Sequence, residues 1–412
     1  MDHFFTVKTV DEVLGLVADF PVLPAETVSL ARASGRVLAE DVLAGEDVPQ
    51  FDRSTMDGYA VRARDTFGAN ESLPALFTVV GEIVMGREPS CEVGPGRTAL
   101  IWTGGMMPPG ANAVVPVEYA RRVDESTVEL ARPVAPYEYV IRRGEDVRRG
   151  DMLLPKGRRL RPQDMGLLAA LGRESLLATR RPRVAVISTG NEVVPVGSEP
   201  GPGQVRDVNT YTLGALVELF GAESVSLGLV RDEPDDIHSA VSQAMQTADV
   251  VAISGGSSVG VRDYTVEVFR GFEGSKILVH GVSVSPGKPT IMARVGDKSL
   301  WGLPGHTVSA MITADLFLRP LLLRLSGESE SRPVWGRTVR AVMSRNVPSV
   351  HGRQDYIRVR IEAGPDSGLT AHPVLGKSGL ISTMVRADGL VCIPLNDEGM
   401  PKGAEVEVRL FD

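Results

Sequence analysis

Cysteine is nearly missing from this chain. Only Cys91 and Cys392 occur in 412 residues, far apart and outside any C-x-x-C or Cys/His ligand spacing. That usage argues against a disulfide framework and against a zinc site, and it suits a reducing cytoplasm. Aromatic residues make up 5%, and the six histidines show no H-x-x-x-H spacing on a predicted helix, so a helical zinc-hydrolase pattern is not present. No Cys/His nucleophile arrangement emerges, which counts against covalent hydrolysis. Positive charge is also in deficit: 44 Lys and Arg face 52 Asp and Glu, a net charge of −8. No global field attracts nucleic acid or an anionic membrane, so a polyanionic ligand must be held locally. Long apolar runs are lacking as well. Residues 1–9 have no basic region followed by an apolar stretch, and the most apolar helical stretch, Val308 to Leu325, is interrupted by Asp315, Arg319 and Pro320. Neither a signal peptide nor a membrane span is expected.

What the chain does have is glycine, 44 residues, and proline, 28 residues, with 43% hydrophobic residues. The length suggests about three or four domains. The Gly/Pro excess favours turn-rich β modules beside one conventional α/β core. Residues 9–44 predict two amphipathic helices, the first on Val10, Val13, Leu14 and Val17 and the second around Val28 to Leu38. Together they form a helical lead-in over 1–47 that packs with 141–180 as a small α+β linking domain. Short β-like runs separated by Gly/Pro turns (Phe77 to Val80, Ala99 to Thr103, Ala113 to Val117, Thr127 to Leu130) predict a loop-rich β module over 48–140. Pro162 opens a helix through Leu171.

From 181 to 328, apolar strand candidates Val184 to Ser188, Val225 to Val230, Asp249 to Ser254 and Ile277 to Val284 alternate with helices near 209–220, 235–247 and 263–270. The pattern closes on a helix from Thr307 to about Leu325. It predicts a doubly wound α/β domain with a parallel sheet covered on both faces. The alternation in 329–412 predicts a C-terminal β barrel.

In a doubly wound sheet, ligands sit outside the carboxyl ends of the strands. Those ends carry Ser188-Thr189-Gly190-Asn191-Glu192, Arg231-Asp232-Glu233 and Ser254-Gly255-Gly256-Ser257-Ser258-Val259-Gly260. The Gly-rich loop offers backbone N–H groups and hydroxyls to an anion such as phosphate; the alternative is a strand-to-helix turn that binds nothing. It is neither G-x-G-x-x-G nor a P-loop, so a dinucleotide fold or a Walker ATPase is not indicated. Glu192, Asp232, Glu233 and Asp263 would gather near that loop, where paired carboxylates suit magnesium bridging protein to phosphate. The alternative for Asp232, Glu233 or Asp263 is a helix cap. Ser285-Pro286-Gly287-Lys288-Pro289 fixes a lysine in a stiff turn, suited to an oxyanion or a phosphate, or else simply solvated. Pro304-Gly305-His306 opens a helix with anion-friendly geometry.

Taken together, the motifs resemble one family, the molybdopterin molybdenumtransferases of MoeA type, similar also to the E domain of gephyrin. The resemblance runs over essentially the whole chain. It is carried in order by Ser34 to Asp41, Ser54-Thr55-Met56-Asp57-Gly58-Tyr59-Ala60, Thr103-Gly104-Gly105 with Pro109 to Val115, Gly144-Glu145-Asp146-Val147, Ser188 to Glu192, Ser254 to Gly260, Pro286-Gly287-Lys288-Pro289 and Gly302-Leu303-Pro304-Gly305. It implies a MoaB/MogA-like α/β domain within a four-domain subunit of an elongated homodimer. It also implies insertion of molybdate or tungstate into adenylylated molybdopterin, with release of AMP and the assistance of Mg2+.

By the same resemblance, Glu192, Asp232 and Asp263 are the acidic and metal-proximal residues, with Asp232 and Asp263 on the metal. Thr189, Gly190 and Ser254 join Gly255, Gly256, Ser257, Ser258 and Gly260 around the nucleotide and phosphate. Pro286, Gly287 and Lys288 belong to the oxyanion site, with Pro304, Gly305 and His306. Asp57, Thr103 and Asp146 form the side of the cleft reached across the dimer. The expected partners are the molybdopterin-adenylylating protein and molybdoenzyme apoproteins.

The chain departs from the family pattern at Asn191 (commonly Asp), Ser257 (commonly Val), Ser285 (commonly Lys) and His306-Thr307 (commonly Asn-Pro). One lysine is lost from the anion site and one imidazole is gained. Two other functions compete: a molybdopterin adenylyltransferase, which shares the Gly-rich loop but is usually a single domain, and a noncatalytic cofactor carrier or scaffold.

Overall fold

The computed structural model describes residues 7–255, 261–329, 337–364 and 368–411, without the side chains of 261–263. The chain divides into two compact units. One comprises Met1–Glu40, Lys156–Leu160 and Leu176–Asp412, and the other Asp41–Pro155 and Arg161–Ser175. Among the described residues no helix is long and apolar enough to cross a membrane.

In the larger unit the sheet order is Glu223–Val230, Arg183–Thr189, Val250–Gly255, Lys298–Leu303, Ile291–Val295, Ser275–His280. The first four strands are parallel. Alternate residues of one strand feed two cores. Val184 and Val186 pack with Val10, Val13, Leu213, Trp301 and Phe317 on one face, while Ala185 and Ile187 pack with Ile237, Val241 and Phe269 on the other. Burial on both faces is why these strands read as unbroken apolar runs.

Three expectations need correction. The run Ile277 to Val284 is not one parallel strand. Ser275–His280 pairs antiparallel with Ile291–Val295 at the sheet edge, and Val284–Ser285 leaves to pair in parallel with Gln354 and Asp355. Second, the four strand candidates leave out Lys298–Leu303, which lies beside Val250–Gly255 and is reached from Ile291–Val295 by a Gly296-Asp297 hairpin turn. The Gly-Asp pair between two β-like runs was the available signal. Third, no second helix forms at Val28 to Leu38. Ala25–Ser29 is a strand paired with Ser175–Thr179, and Leu30–Arg32 is a single 3-10 turn. Buried Arg36 donates to the Thr179 carbonyl at 2.9 Å, so a distant pairing overrides the local helical period. The first helix, Val10–Ala18, forms as expected and is held by a capping box between Thr9 and Glu12.

The barrel closes. Gln354–Ala363, Leu369–Pro373, Thr338–Met343, Glu405–Leu410 and Gly389–Ile393 pair in turn, and the last returns to the first. Ala341, Val359, Ala371, Val391, Ile393 and Val408 fill its interior. In the smaller unit the main sheet has the order Ala113–Pro116, Gly58–Val61, Arg97–Ile101, Ala75–Ile83, Thr127–Leu130, Ala120–Arg122. Pro162–Ala170 is the expected helix.

Candidate functional site

The parallel strands end in register: Thr189 lies opposite both Val230 and Gly255, and Ser254 lies opposite Leu303. Their trailing residues therefore meet along one edge, as the doubly wound reading requires. Thr189 Oγ1 donates to Asp232 Oδ1 at 3.1 Å. Burial pushes the Asp232 carboxyl above the usual carboxylate range; the Thr189 hydrogen bond opposes this, while Glu192 and Glu233 add like charge. Asp232 is thus committed to Thr189 rather than to capping the helix Pro234–Thr247. Glu233 stands at that helix's N-cap without a side-chain cap bond. The Glu192 carboxylate folds back over Gly190, within 2.9 Å of where a Cβ would stand. Gly255 is required by contact: a Cβ there would lie 1.9 Å from the Thr189 carbonyl oxygen. Gly256, Ser257, Ser258 and Gly260 lie outside the described residues, as does the side chain of Asp263.

Two residues of this edge were not singled out from the sequence. Asn209 Nδ2 donates to Ser254 Oγ and to the Gly305 carbonyl, each at 2.7 Å, while its buried Oδ1 has no hydrogen-bond partner among the described residues. Asp207 accepts from Ser188 Oγ at 3.0 Å and from the Thr210 N–H at 3.1 Å. The available signal was a capping residue ahead of the helix Asn209–Leu219. Ser254 Oγ in turn donates to the Pro304 carbonyl at 3.3 Å. The ends of two strands and the start of two helices are therefore tied into one buried polar network.

Beside this edge lies a cavity of about 740 Å³ lined by Gly255, Ser285 to Pro289 and Gly302 to His306. Gly287, at φ +126°, lets the turn pass Thr313, whose Cγ2 would stand 2.4 Å from an added Cβ. The Thr290 hydroxyl closes the turn on the Gly287 carbonyl at 2.7 Å. The C-terminal region contributes His351, Arg353 and Ser378 to the same walls, residues with no recognisable local signal. Arg353 pairs with Asp355 at 2.9 Å, and Ser378 Oγ lies 2.9 Å from His306 Nδ1. Lys288 is exposed. Among the described residues the lining includes Lys288, Arg353 and two histidines but neither Asp nor Glu, so the cavity favours an anion.

The smaller unit carries the other expected residues. The Asp57 carboxylate accepts from the Thr103 N–H and from its hydroxyl, both at 2.7 Å and both on Oδ1. Those bonds hold the Asp57 carboxyl below the usual range although it is exposed. Asp146 lies on a separate loop, where its N–H donates to the Val48 carbonyl at 3.2 Å. No hydrogen bond among the described residues joins it to Asp57 or Thr103. A metal-sized cluster of three or more His, Cys, Asp or Glu is also absent among the described residues.

Comparison with known proteins agrees along the length of the chain. Residues 8–172 match the MoeA N-terminal region (domain I and II), 185–324 a probable molybdopterin binding domain, and 340–411 the MoeA C-terminal region (domain IV). The chain belongs to the MoeA family. The molybdopterin molybdenumtransferase of Bacillus subtilis is 32% identical, over 98% of this chain and 94% of its own. That of Nostoc sp. PCC 7120 is 34% identical, over 93% and 88%. The crystal structure of the molybdopterin biosynthesis MoeA protein from Pyrococcus horikoshii OT3 superposes with a TM-score of 0.83 at 33% identity, covering 98% of this chain and all of that one. Within this family the strand-end edge and the cation-lined cavity occupy the region matched as molybdopterin-binding, with Arg353 and Ser378 supplied by the C-terminal region.

Proposed function

We infer that this MoeA-family chain is a molybdopterin molybdenumtransferase, acting in molybdenum cofactor biosynthesis by inserting molybdate into adenylylated molybdopterin with release of AMP. The observation that carries this reading is the cavity whose lining includes the cations Lys288 and Arg353 beside His306 and His351, set against strand ends rich in N–H and hydroxyl groups. A tetrahedral oxyanion needs cations and fixed donors. Cleaving a phosphoanhydride needs charge neutralised on phosphate and a positioned attacking oxygen, with no covalent nucleophile required. Lys288 and Arg353 bind and orient the oxyanion. His306 Nδ1 is engaged by Ser378, which leaves Nε2 for the ligand. Thr189, Gly190, Ser254 and Gly255 face the phosphates.

Magnesium belongs to the same proposal. Asp232 carries a carboxyl raised by burial and by its acidic neighbours, a site that gains from a cation, and magnesium is commonly held by one or two carboxylates with substrate phosphates and waters. Asp232 would hold it, with Asp263 as the second candidate, and the ion would neutralise phosphate charge. The chain is proposed to act as a cytoplasmic homodimer in which Asp57, Thr103 and Asp146 of one subunit complete the site of the other. It is proposed to receive its substrate from the adenylylating protein and to deliver cofactor to apoenzymes. The chain is proposed to divide into four parts, with boundaries at about residues 47, 140, 180 and 328.

Incubation with adenylylated molybdopterin and molybdate, following AMP, tests the proposal. Molybdate-dependent AMP release is expected, and Lys288→Ala and Arg353→Ala should each raise the half-saturating molybdate concentration about tenfold, the scale of one charge-assisted bond. MgATP-dependent formation of the adenylylated pterin would instead assign an adenylyltransferase. Tight binding without turnover would assign a carrier.

A further inference from the structure

One edge of the smaller unit's sheet carries a row of which the reaction above uses Asp57 alone. Gly58 pairs with Ile101 and with Pro116, and Ile101 pairs in parallel with Ile83. One residue further, four neighbouring strands end together in the lateral order Val117, Asp57, Trp102, Val84. The Val117 N–H still donates to the Asp57 carbonyl at 3.0 Å. Pleat alternation puts all four side chains on one face, continuing the buried face of Val115, Tyr59 and Leu100. Yet Val117 is 45%, Trp102 39% and Val84 53% exposed. A tryptophan left this open beside a carboxylate, on a strand about 4.8 Å from it, is unusual for a folded surface.

The ring is not loose. Trp102 Nε1 donates to Glu82 Oε1 at 2.7 Å, which fixes the indole and uses up its only polar group, so what remains for a ligand is its π face. Beside it, both hydrogen bonds to Asp57 fall on Oδ1. Oδ2 is left to accept, and Thr103 Oγ1, its proton already given to Asp57, is an acceptor too. An aromatic face beside two acceptors fits a planar heterocycle with adjacent N–H donors on one edge. A pterin lactam has that edge in its ring N–H and 2-amino group. Adenine presents a donor next to an acceptor, and the acceptor would face the carboxylate.

We propose that Trp102 is a positioning residue that stacks the pterin ring of the substrate while Asp57 and Thr103 accept from its amino-lactam edge. This rests on the reading of the substrate as a molybdopterin. The Asp57 charge, held by Thr103, is present at neutral pH and favours an N–H donor over an acceptor.

The test uses the full-length protein with two separate probes, 6-hydroxymethylpterin and adenosine, titrated by calorimetry and, for the pterin, by its own fluorescence. Wild type should bind the pterin and quench its emission through face contact with indole. Trp102→Leu should bind it about tenfold more weakly, on the scale of one ring stacked on an aromatic side chain, and lose the quench. Trp102→Phe, which keeps a stacking ring, should lose about threefold, and Glu82→Gln about twofold. Adenosine affinity should not change in any of them. Melting temperatures should stay within about 1 °C, since the side chain is partly exposed, and Trp102→Phe serves if the leucine variant fails to fold. Equal pterin affinity in wild type and Trp102→Leu, no pterin binding by wild type, or a loss that falls on adenosine would each overturn the proposal. AMP release in the same proteins separates the two readings. Turnover with an unchanged KM in Trp102→Leu removes only the stacking role, while Trp102-dependent pterin binding without any turnover removes only the transferase reading.

Discussion

Asp57 and Asp232 are the same side chain in two opposite settings. Asp57 sits exposed at the end of a strand with antiparallel neighbours on both sides, and two hydrogen bonds from Thr103 hold its carboxyl below the usual range. Asp232 sits partly buried at the end of a parallel sheet, and burial together with Glu192 and Glu233 raises its carboxyl despite one hydrogen bond from Thr189. The difference shows how a fold assigns roles to identical groups. Where donors are aimed at a carboxylate, the charge is stabilised and ready to accept from a neutral ligand. Where solvent is removed and like charges gather, the charge is costly until a proton or a cation arrives.

The largest expected effect tests whether both settings serve one reaction. Asp57→Ala and Asp232→Ala should each lower AMP release by about 10² to 10³, the scale of losing one key electrostatic group. In the proposed dimer, a mixture of the two inactive variants forms half heterodimers, each with one intact site, so about a quarter of wild-type activity should return. No recovery after verified subunit exchange would confine each carboxylate to its own subunit's site.

A smaller effect sharpens the contrast at Asp232. A carboxyl whose folded pKa is raised lowers stability above its unfolded pKa, and that loss is relieved as pH falls through the raised value. Asp232→Asn should therefore melt about 1–3 °C higher than wild type at pH 7 without metal, while losing activity. Magnesium should raise the melting temperature of wild type and barely move that of the variant. A variant that melts lower, with an unchanged magnesium response, would reassign Asp232 to holding Thr189 in place.

The smallest effect concerns Asp57. Thr103→Val removes the hydroxyl and keeps the N–H, so the Asp57 carboxyl should move part-way up toward its usual value, read by carbon-detected NMR titration. Because the depressed pKa reflects interactions of the charged form, they are present above the usual carboxylate range and lost as pH falls through the lowered value. An unmoved titration would assign the whole shift to the backbone donor.

Much of this was legible before any coordinates. Apolar runs such as Val184 to Ile187 and Val250 to Ile253 read directly as strands covered on both faces, because burial on two sides leaves no polar alternation. From that followed the strand-end position of Thr189, Asp232 and Gly255. The ordered motif series pointed to the family, and through it to Asp57 with Thr103. What local pattern did not disclose depended on pairings between distant segments. Ala25–Ser29 became a strand because Ser175–Thr179 lies beside it, and a helical period of a few residues carries too little energy to resist that. Arg353 and Ser378 reach the anion cavity only because Val284–Ser285 pairs with the barrel strand at Gln354. Asn209 enters the polar network only because its helix begins where two strands end.

Periodicity and composition by themselves determined the central parallel strands, the first helix and which loops carry donors and charges, since those depend on residues a few positions apart. Tertiary structure alone decided which of those loops meet. It also decided the state of each carboxylate, because burial, aimed donors and neighbouring charge are properties of a place in the fold and are not written into any residue's own surroundings along the chain.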